Sequence, residues 1–403
     1  HLAAYYRRCQ EEYNLTEVPT YDQNDDNTAR ELVEYYLLHN ENENEHDYFS
    51  KFGFKPGWSN QISKRSIMPE WAYYLFKIQR LYLKEGMLDD YATQIKEYIN
   101  NNDFELSKEW KKAKIYFSFK GKCKKDIKNW RPIISLPYFV KIYELAIVNK
   151  LTKNHIVYDK INTDVQKSIK TTNGVWESIF ELNCILSNDK RSKKYTPIIF
   201  LDIKNAYGSV NYEKLIEILK IGNYPNFLIN YVEKYYKNLI CLFNNKDIKW
   251  NNGLFQGSSL SNLLFLIYLD YVLKNVIAMW SKFDFLKDYE NIDLAFSDMF
   301  RAFVDDIRIK FKNKSKEEIK NMLDILVIVF SEYGFEINFD KTYSYGIKDI
   351  LKIGFKKIGK VPDNFIYLGQ PILLDDDQIG IYMEKQIKNV CHSIDILNVE
   401  NNI

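Results

Sequence analysis

Three aspartates stand where the surrounding chain is apolar. Ile198-Ile199-Phe200-Leu201-Asp202-Ile203 is an apolar run with one carboxylate near its end, and Ala302-Phe303-Val304-Asp305-Asp306-Ile307-Arg308-Ile309 is a second run broken by an adjacent acidic pair. Flanked in this way, the pair reads as the tip of a β-hairpin. Two neighbouring carboxylates in such a setting are unfavourable unless something cationic compensates. Magnesium suits the task, because it takes hard oxygen ligands from one or two carboxylates and fills its shell with water and substrate phosphates. Two such ions roughly 3.5–4 Å apart can activate an attacking oxygen and stabilise a departing phosphate. Phosphoryl transfer asks a protein mainly for positioning and charge neutralisation, which three carboxylates and a few cations supply. An Asp-Asp dipeptide is also an ordinary surface turn, so the pair by itself is weak evidence.

The elements that must position these acids lie beyond Trp110. There, strand-like runs alternate with amphipathic helices: Ile198–Leu201, Tyr212–Lys220, Pro225–Tyr236, Leu260–Val276, Phe303–Phe311 and Glu317–Tyr333. Pro225 fits the first turn of its helix, where a missing N–H costs nothing. Strands interleaved with helices predict an α+β or α/β domain with a sheet floor. Before Trp110 the texture differs. Residues 1–50 read as helices joined by an Asn/Asp/Glu-rich stretch from Asp22 to Asp47, and residues 60–105 show helical spacing at Trp71, Leu75, Ile78 and Leu81.

Charge divides the chain the same way. Residues 1–105 hold 11 Lys+Arg against 19 Asp+Glu, a net of −8, whereas residues 106–200 hold 20 against 8, a net of +12. A basic block behind an acidic leader places phosphate binding from about residue 106 onward. The whole-chain net charge of +2 adds little. Cys9, Cys123, Cys184, Cys241 and Cys391 form no CxxC pair, which argues against a zinc site or a disulfide scaffold and fits a reducing compartment such as nucleus, cytoplasm or organelle. No apolar run reads as long enough to cross a membrane, and none is expected as a partner.

With these residues in view, six blocks over roughly residues 110–395 resemble reverse transcriptases, most closely the non-LTR (LINE-type) retrotransposon enzymes. They are Trp110–Lys120 with Asn129-Trp130-Arg131-Pro132-Ile133; Gln166–Thr172; Phe200-Leu201-Asp202-Ile203-Lys204-Asn205-Ala206-Tyr207; Gly253-Leu254-Phe255-Gln256-Gly257-Ser258-Ser259-Leu260-Ser261; Phe303-Val304-Asp305-Asp306; and Tyr333-Gly334-Phe335 through Asn338 and Lys341-Thr342, followed by Tyr367-Leu368-Gly369. Weaker resemblances run to telomerase catalytic subunits, through Gln256–Ser261, and to bacterial defence reverse transcriptases, through Phe303–Ile309.

The resemblance implies an RNA-directed DNA polymerase that extends a primer by two-metal nucleotidyl transfer. Asp202, Asp305 and Asp306 would be catalytic, and with Ile203 they would make the metal set for two magnesium ions, manganese being the alternative. Nucleotide binding falls to Lys120, Arg131, Ile203, Tyr207, Gln256, Gly257 and Lys341. Tyr207 would pack under the sugar and exclude a ribose 2′-OH, and Lys341 would donate a proton to pyrophosphate. Gly257 would let backbone approach template and incoming base, with Ser258 or Ser259 capping the following helix. Tyr367, Leu368 and Gly369 would form the primer grip. The implied partners are an RNA template, a DNA or RNA primer, deoxynucleoside triphosphates, and further protein chains that complete a thumb or a ribonucleoprotein.

Departures from the family pattern are Phe303-Val304 where relatives carry Tyr and then Ala or Met, Gly208 where LINE-type enzymes carry Asp, and Lys170 near the usual Arg. Only 34 residues follow Gly369, short for a full thumb. The expected fold is α+β, a right-hand polymerase with an antiparallel palm sheet backed by helices. Its expected parts are an acidic helical extension (1–105), fingers (106–195), a palm (196–369) with a fingers insertion at about 212–250, and a partial thumb (370–403). The alternative reading is a retired polymerase fold serving as a structural RNA-binding or assembly subunit of a ribonucleoprotein.

Overall fold

The computed structural model describes residues 112–372 except 122, 127, 128, 154, 170–172, 244, 245 and 364. The acidic extension, most of the thumb segment and the end of the Gln166–Thr172 block therefore lie outside the described residues. In chain order the elements are β1 (Lys112–Phe119), β2 (Trp130–Ser135), α1 (Tyr138–Lys153), α2 (Gly174–Ser192), β3 (Ile198–Leu201), α3 (Tyr212–Ile221), α4 (Asn226–Lys234), β4 (Ile240–Phe243), β5 (Lys246–Lys249), α5 (Ser261–Lys282), α6 (Ile292–Met299), β6 (Phe300–Phe303), β7 (Asp306–Lys310), α7 (Lys316–Glu332), β8 (Tyr343–Tyr345), β9 (Leu351–Ile353), β10 (Lys356–Lys360), β11 (Ile366–Tyr367) and β12 (Gln370–Pro371). The described residues form two compact units, one from those up to Ile161 with Tyr207–Tyr271, the other from Asn162–Ala206 and those from Val272 to Ile372.

The first unit carries a four-stranded sheet of order β2-β1-β4-β5. β1 runs antiparallel to β2, from Lys114 opposite Ser135 to Phe119 opposite Trp130, and parallel to β4. Asn211 caps α3 by accepting the N–H groups of Glu213 and Lys214. Pro225 stands just before α4 in extended conformation, one residue earlier than the sequence placed it. Tyr143, Tyr231, Tyr235 and Tyr236 are fully buried here; the many tyrosines of the chain are in part core.

The second unit is built on a six-stranded sheet of order β6-β7-β3-β8-β10-β9. All four side chains of β3 are buried, which an unbroken apolar run achieves only at the centre of a covered sheet. α7 begins with a capping box in which the Ser315 hydroxyl accepts the Glu318 N–H and the Glu318 carboxylate reaches back to the Ser315 N–H. It buries Ile319, Met322, Leu323, Leu326, Val329 and Phe330, a stripe at three- and four-residue spacing. Each such side chain contributes about 1.5–3 kcal/mol when removed from water. Trp280 stacks on Phe300 at 5.3 Å and donates its indole N–H to the Met322 carbonyl at 2.8 Å.

Two expectations are corrected. The sheet is not wholly antiparallel, because β8 and β10 run parallel. α5, at 22 residues, is long and apolar enough to cross a membrane by length and composition, which the sequence reading missed. Asp270 and Lys274 interrupt the run in sequence, and 72% of the apolar window is buried in the protein, as a core helix would be.

Candidate active site

Antiparallel pairing of β3 with β7 sets Leu201 opposite Ile307. Asp202 follows Leu201 directly and Asp306 precedes Ile307, so the end of this pairing brings the two acids into one neighbourhood, where the charge of Asp202 reaches Asp306. β6 and β7 close their hairpin through Phe303 opposite Asp306, so the loop is Val304-Asp305 and Asp306 already opens β7 rather than sitting at the tip. The Asp306 carboxyl is pushed up to about 6, first by burial and then by the negative charges of Asp305 and Asp202, while Lys341 pulls the other way. Asp305 beside it, and Asp202 and Lys341 from distant parts of the sequence, thus act on one carboxyl group.

Asp202 is held by the loop that follows α7. Its backbone N–H donates to the Thr342 hydroxyl at 3.2 Å, its carbonyl accepts the Asn338 N–H at 2.9 Å, and its Oδ2 accepts the Asn338 side-chain amide at 2.8 Å. Ile203 is buried and bridges Ile337 in the same loop. Lys341 is exposed on that loop, close enough for its charge to reach Asp306.

Two residues of this neighbourhood were given no role from sequence. Arg308 follows Asp306 by two, on the same face of β7. It is 1% exposed, and its guanidinium and that of Arg301 both reach Glu181 Oε2, at 2.7 and 2.8 Å. A charged residue in an apolar strand run was the available signal. The other is Gln166, whose side chain bonds the backbone of Val304; nothing in sequence connects an amide to a backbone group 138 residues away.

Tyr367-Leu368-Gly369 makes the tight turn between β11 and β12, with Tyr367 opposite Gln370. Leu368 and Gly369 both take positive φ, +48° and +80°, the pattern of a type I′ hairpin. The Tyr367 ring is buried edge-on to Phe200 at 5.3 Å, and burial pushes its hydroxyl up to about 12. Only the backbone turn at 368–369 is left to face a ligand.

The remaining sequence-nominated residues belong to the first unit. Lys120 follows β1, with its N–H on the Asn129 carbonyl at 2.8 Å, and Arg131 lies in β2 opposite Ser118; both side chains are exposed. Tyr207 stacks on Phe265 at 4.6 Å with planes 10° apart, and its hydroxyl donates to Asn262 Oδ1 at 2.9 Å. The Gln256 carbonyl accepts the Ile134 N–H at 2.8 Å, while its side-chain oxygen is buried without a partner.

Gly257 has a reason within the fold itself. Its φ is +120°, and a Cβ would lie 2.4 Å from the Ile134 carbonyl oxygen; the close backbone approach is to β2. Ser258, of the two candidates, caps α5, accepting the N–H groups of Leu260 and Ser261 at 3.2 and 3.1 Å. Glu144 of α1 holds this loop from beneath. Its Oε2 accepts from the Ser258 hydroxyl (2.8 Å) and the Ser259 N–H (2.9 Å), and its Oε1 accepts from the Tyr231 hydroxyl (2.9 Å). Burial pushes the Glu144 carboxyl up to about 7 against the pull of these bonds.

The oxygen donors of Asp202 and Asp306, with Asp305 adjoining, fit a hard divalent cation, and the rise at Asp306 is what crowded carboxylates show before one binds. Among the described residues no three His, Cys, Asp or Glu side chains close into a ready cage. Magnesium sites of the kind completed by water and substrate phosphate need none.

A protein-family profile described as "Reverse transcriptase (RNA-dependent DNA polymerase)" matches residues 122–372. No curated protein matches. Among solved structures, the chain is similar to an insertion-loop deletion mutant of the RNA-dependent RNA polymerase of a human picorbirnavirus, at 12% identity and a TM-score of 0.38. The likeness covers 58% of this chain and 42% of that one, so it spans less than half of the viral polymerase.

Proposed function

The chain belongs to the reverse transcriptase family, and from that premise we propose that it is an RNA-directed DNA polymerase, extending a primer at Asp202, Asp305 and Asp306. The observation that supports the reading is the convergence on Asp306, whose carboxyl is raised first by burial and then by the charges of Asp305 and Asp202. Bound magnesium supplies Lewis acidity, lowering the pKa of the attacking 3′-hydroxyl and neutralising charge on the leaving pyrophosphate. Asp202 and Asp305 would be its main ligands, with Asp306 and the Ile203 carbonyl in support.

The chain's own residues do the rest. Asn338 and Thr342 fix the end of β3, so that Asp202 meets its ligand without reorganising. Lys341 carries an exposed ammonium that can give a proton to pyrophosphate. Lys120 and Arg131 offer cations for triphosphate, Arg131 through a bidentate fork and Lys120 as a point charge. Tyr207, its ring fixed against Phe265 and its hydroxyl bonded to Asn262, excludes the ribose 2′-OH. The Gln256-Gly257 loop meets template and incoming base, and the Leu368-Gly369 turn offers its backbone to the primer. The six-stranded sheet then serves as palm and the four-stranded sheet as fingers.

The test is template-dependent incorporation on poly(rA)/oligo(dT) with magnesium or manganese. Asp305→Asn should abolish extension with little loss of folding. Equal inertness of wild type and variant with both ions would discard the polymerase reading in favour of a structural RNA-binding subunit.

A further inference from the structure

Val304 is a β-branched residue at φ +57°, a strained conformation that such residues rarely adopt unless their surroundings impose it. It immediately precedes Asp305. The imposing group is the side-chain amide of Gln166. Gln166 Oε1 accepts the Val304 N–H at 2.9 Å, and Gln166 Nε2 donates to the Val304 carbonyl at 3.2 Å. One side-chain amide thereby grips both polar groups of the strained residue, and a backbone held at N–H and C=O has little freedom left in φ and ψ.

Gln166 is itself fixed. It is 2% exposed, and its Oε1 also accepts from the Ser168 hydroxyl at 2.8 Å, which determines which end of the amide faces the Val304 N–H. Its backbone bridges Ala302 of β6 in parallel, with the Ala302 N–H on the Val165 carbonyl and the Lys167 N–H on the Ala302 carbonyl, each at 2.8 Å. Lys167 is anchored by Glu177 at 3.2 Å, and a Cβ at Gly174 would lie 2.1 Å from the Lys167 carbonyl oxygen. The clamp therefore stands on a segment bridged to the hairpin at Ala302 and packed against the start of α2.

We propose that Gln166 is a positioning residue that holds the Val304-Asp305 turn in its strained form and so sets the direction of the Asp305 carboxylate. Its importance to catalysis rests on the polymerase reading; its grip on the turn does not. Without the amide, Val304 relaxes toward negative φ and carries the peptide before Asp305 with it. A displacement of about 1 Å at a reacting centre can cost 100-fold in rate. Glycine at 304 adopts positive φ without strain, so it removes the need for the clamp.

The experiment combines hydrogen exchange over residues 300–307 with incorporation kinetics for wild type, Gln166→Ala, Gln166→Glu, Val304→Gly and the Gln166→Ala/Val304→Gly pair. Gln166→Ala should exchange the Val304 amide about tenfold faster or more, as loss of one hydrogen bond allows, and should lower kcat about 100-fold with KM for nucleotide little changed. Gln166→Glu keeps the acceptor, loses the donor and should fall between; it supplies the measurement should the alanine variant fold poorly. The double variant should recover most of kcat, which repair of a merely structural defect elsewhere would not do. Unchanged exchange at Val304 in Gln166→Ala, or a double variant no more active than Gln166→Ala, overturns the proposal. Faster exchange in a protein whose wild type incorporates nothing leaves the clamp standing and removes the polymerase reading.

Discussion

Replacing Asp306 by Asn should stabilise the metal-free protein at neutral pH, and only there. The Asp306 carboxyl is raised from 3.8 to about 6 in the folded chain, so its ionised form is disfavoured by folding. For a carboxyl raised in this way, stability is fully present below the unfolded value near 4 and is lost as pH climbs through about 6. Two pH units correspond to about 3 kcal/mol. Asp306 is nonetheless exposed, and screening by water reduces that to about 1 kcal/mol. Asn keeps the shape and carries no charge. At pH 7.5 in chelator the variant should therefore melt about 2–4 °C above wild type for a domain of this size, and the gap should close as pH is lowered to 4. Adding 10 mM magnesium should shrink or invert the gap, because the ion binds the intact acids and stabilises the wild type by mass action. Calorimetry of both proteins from pH 4 to 7.5, with and without magnesium, decides the matter. A variant that is no more stable at pH 7.5 in chelator, or a gap that does not change with pH, would show that neither burial nor the neighbouring acids raise the Asp306 carboxyl, and the electrostatic account of the site would fail.

Other perturbations have defined outcomes. Tyr207→Ala should admit ribonucleotides, read as a fall in the ratio of kcat/KM for dTTP over UTP on poly(rA); unchanged selectivity removes Tyr207 as the sugar gate. Gly257→Ala meets both a φ of +120° and an Ile134 carbonyl 2.4 Å from the new Cβ, and should lower stability by about 1–3 kcal/mol, measured by urea unfolding. Asn338→Ala frees Asp202 Oδ2, and should reduce kcat while leaving the melting temperature within a few degrees, since one exchanged hydrogen bond is worth about 1 kcal/mol. Glu144, raised by burial to about 7, contributes most stability below about pH 4.5 and loses it as pH rises through 7. Wild-type stability should accordingly fall between pH 6 and 8, and a Glu144→Gln variant should show a flatter profile over that range.

The parts of this site that sequence disclosed are those in which residue identity clashes with its surroundings. Asp202 and the Asp305-Asp306 pair are legible because carboxylates in apolar strand runs require an explanation. Gln166 was not legible in the same way, since its partner is a peptide group, and peptide groups leave no mark in a sequence. Gly257 was noticed for the sake of a ligand, whereas the need for glycine that the fold itself imposes, a positive φ beside a carbonyl of β2, leaves no mark in the sequence. The parallel pairing of β8 with β10 was likewise hidden, because Tyr343-Ser344-Tyr345 and the lysine-rich Lys356–Lys360 carry no apolar alternation to announce a strand. α5 escaped as one long apolar helix because Asp270 and Lys274 break its run on paper.

These omissions share a cause that bears on function. The groups that hold Asp202 are an amide and a hydroxyl, from Asn338 and Thr342, and the group that holds the Val304-Asp305 turn is again an amide, from Gln166. Neutral supports fix position without cancelling charge. An arginine in the place of Asn338 would grip Asp202 more strongly, through a charge-assisted bond, but it would also lower the carboxylate's affinity for a cation and relieve the repulsion that raises Asp306. Neutral side chains are also the ones that charge patterns cannot find. A site built to keep its acids both rigid and electrostatically unsatisfied is therefore conspicuous in its acids and silent in its supports, which is why the carboxylates could be read from sequence and their scaffold only from the structure.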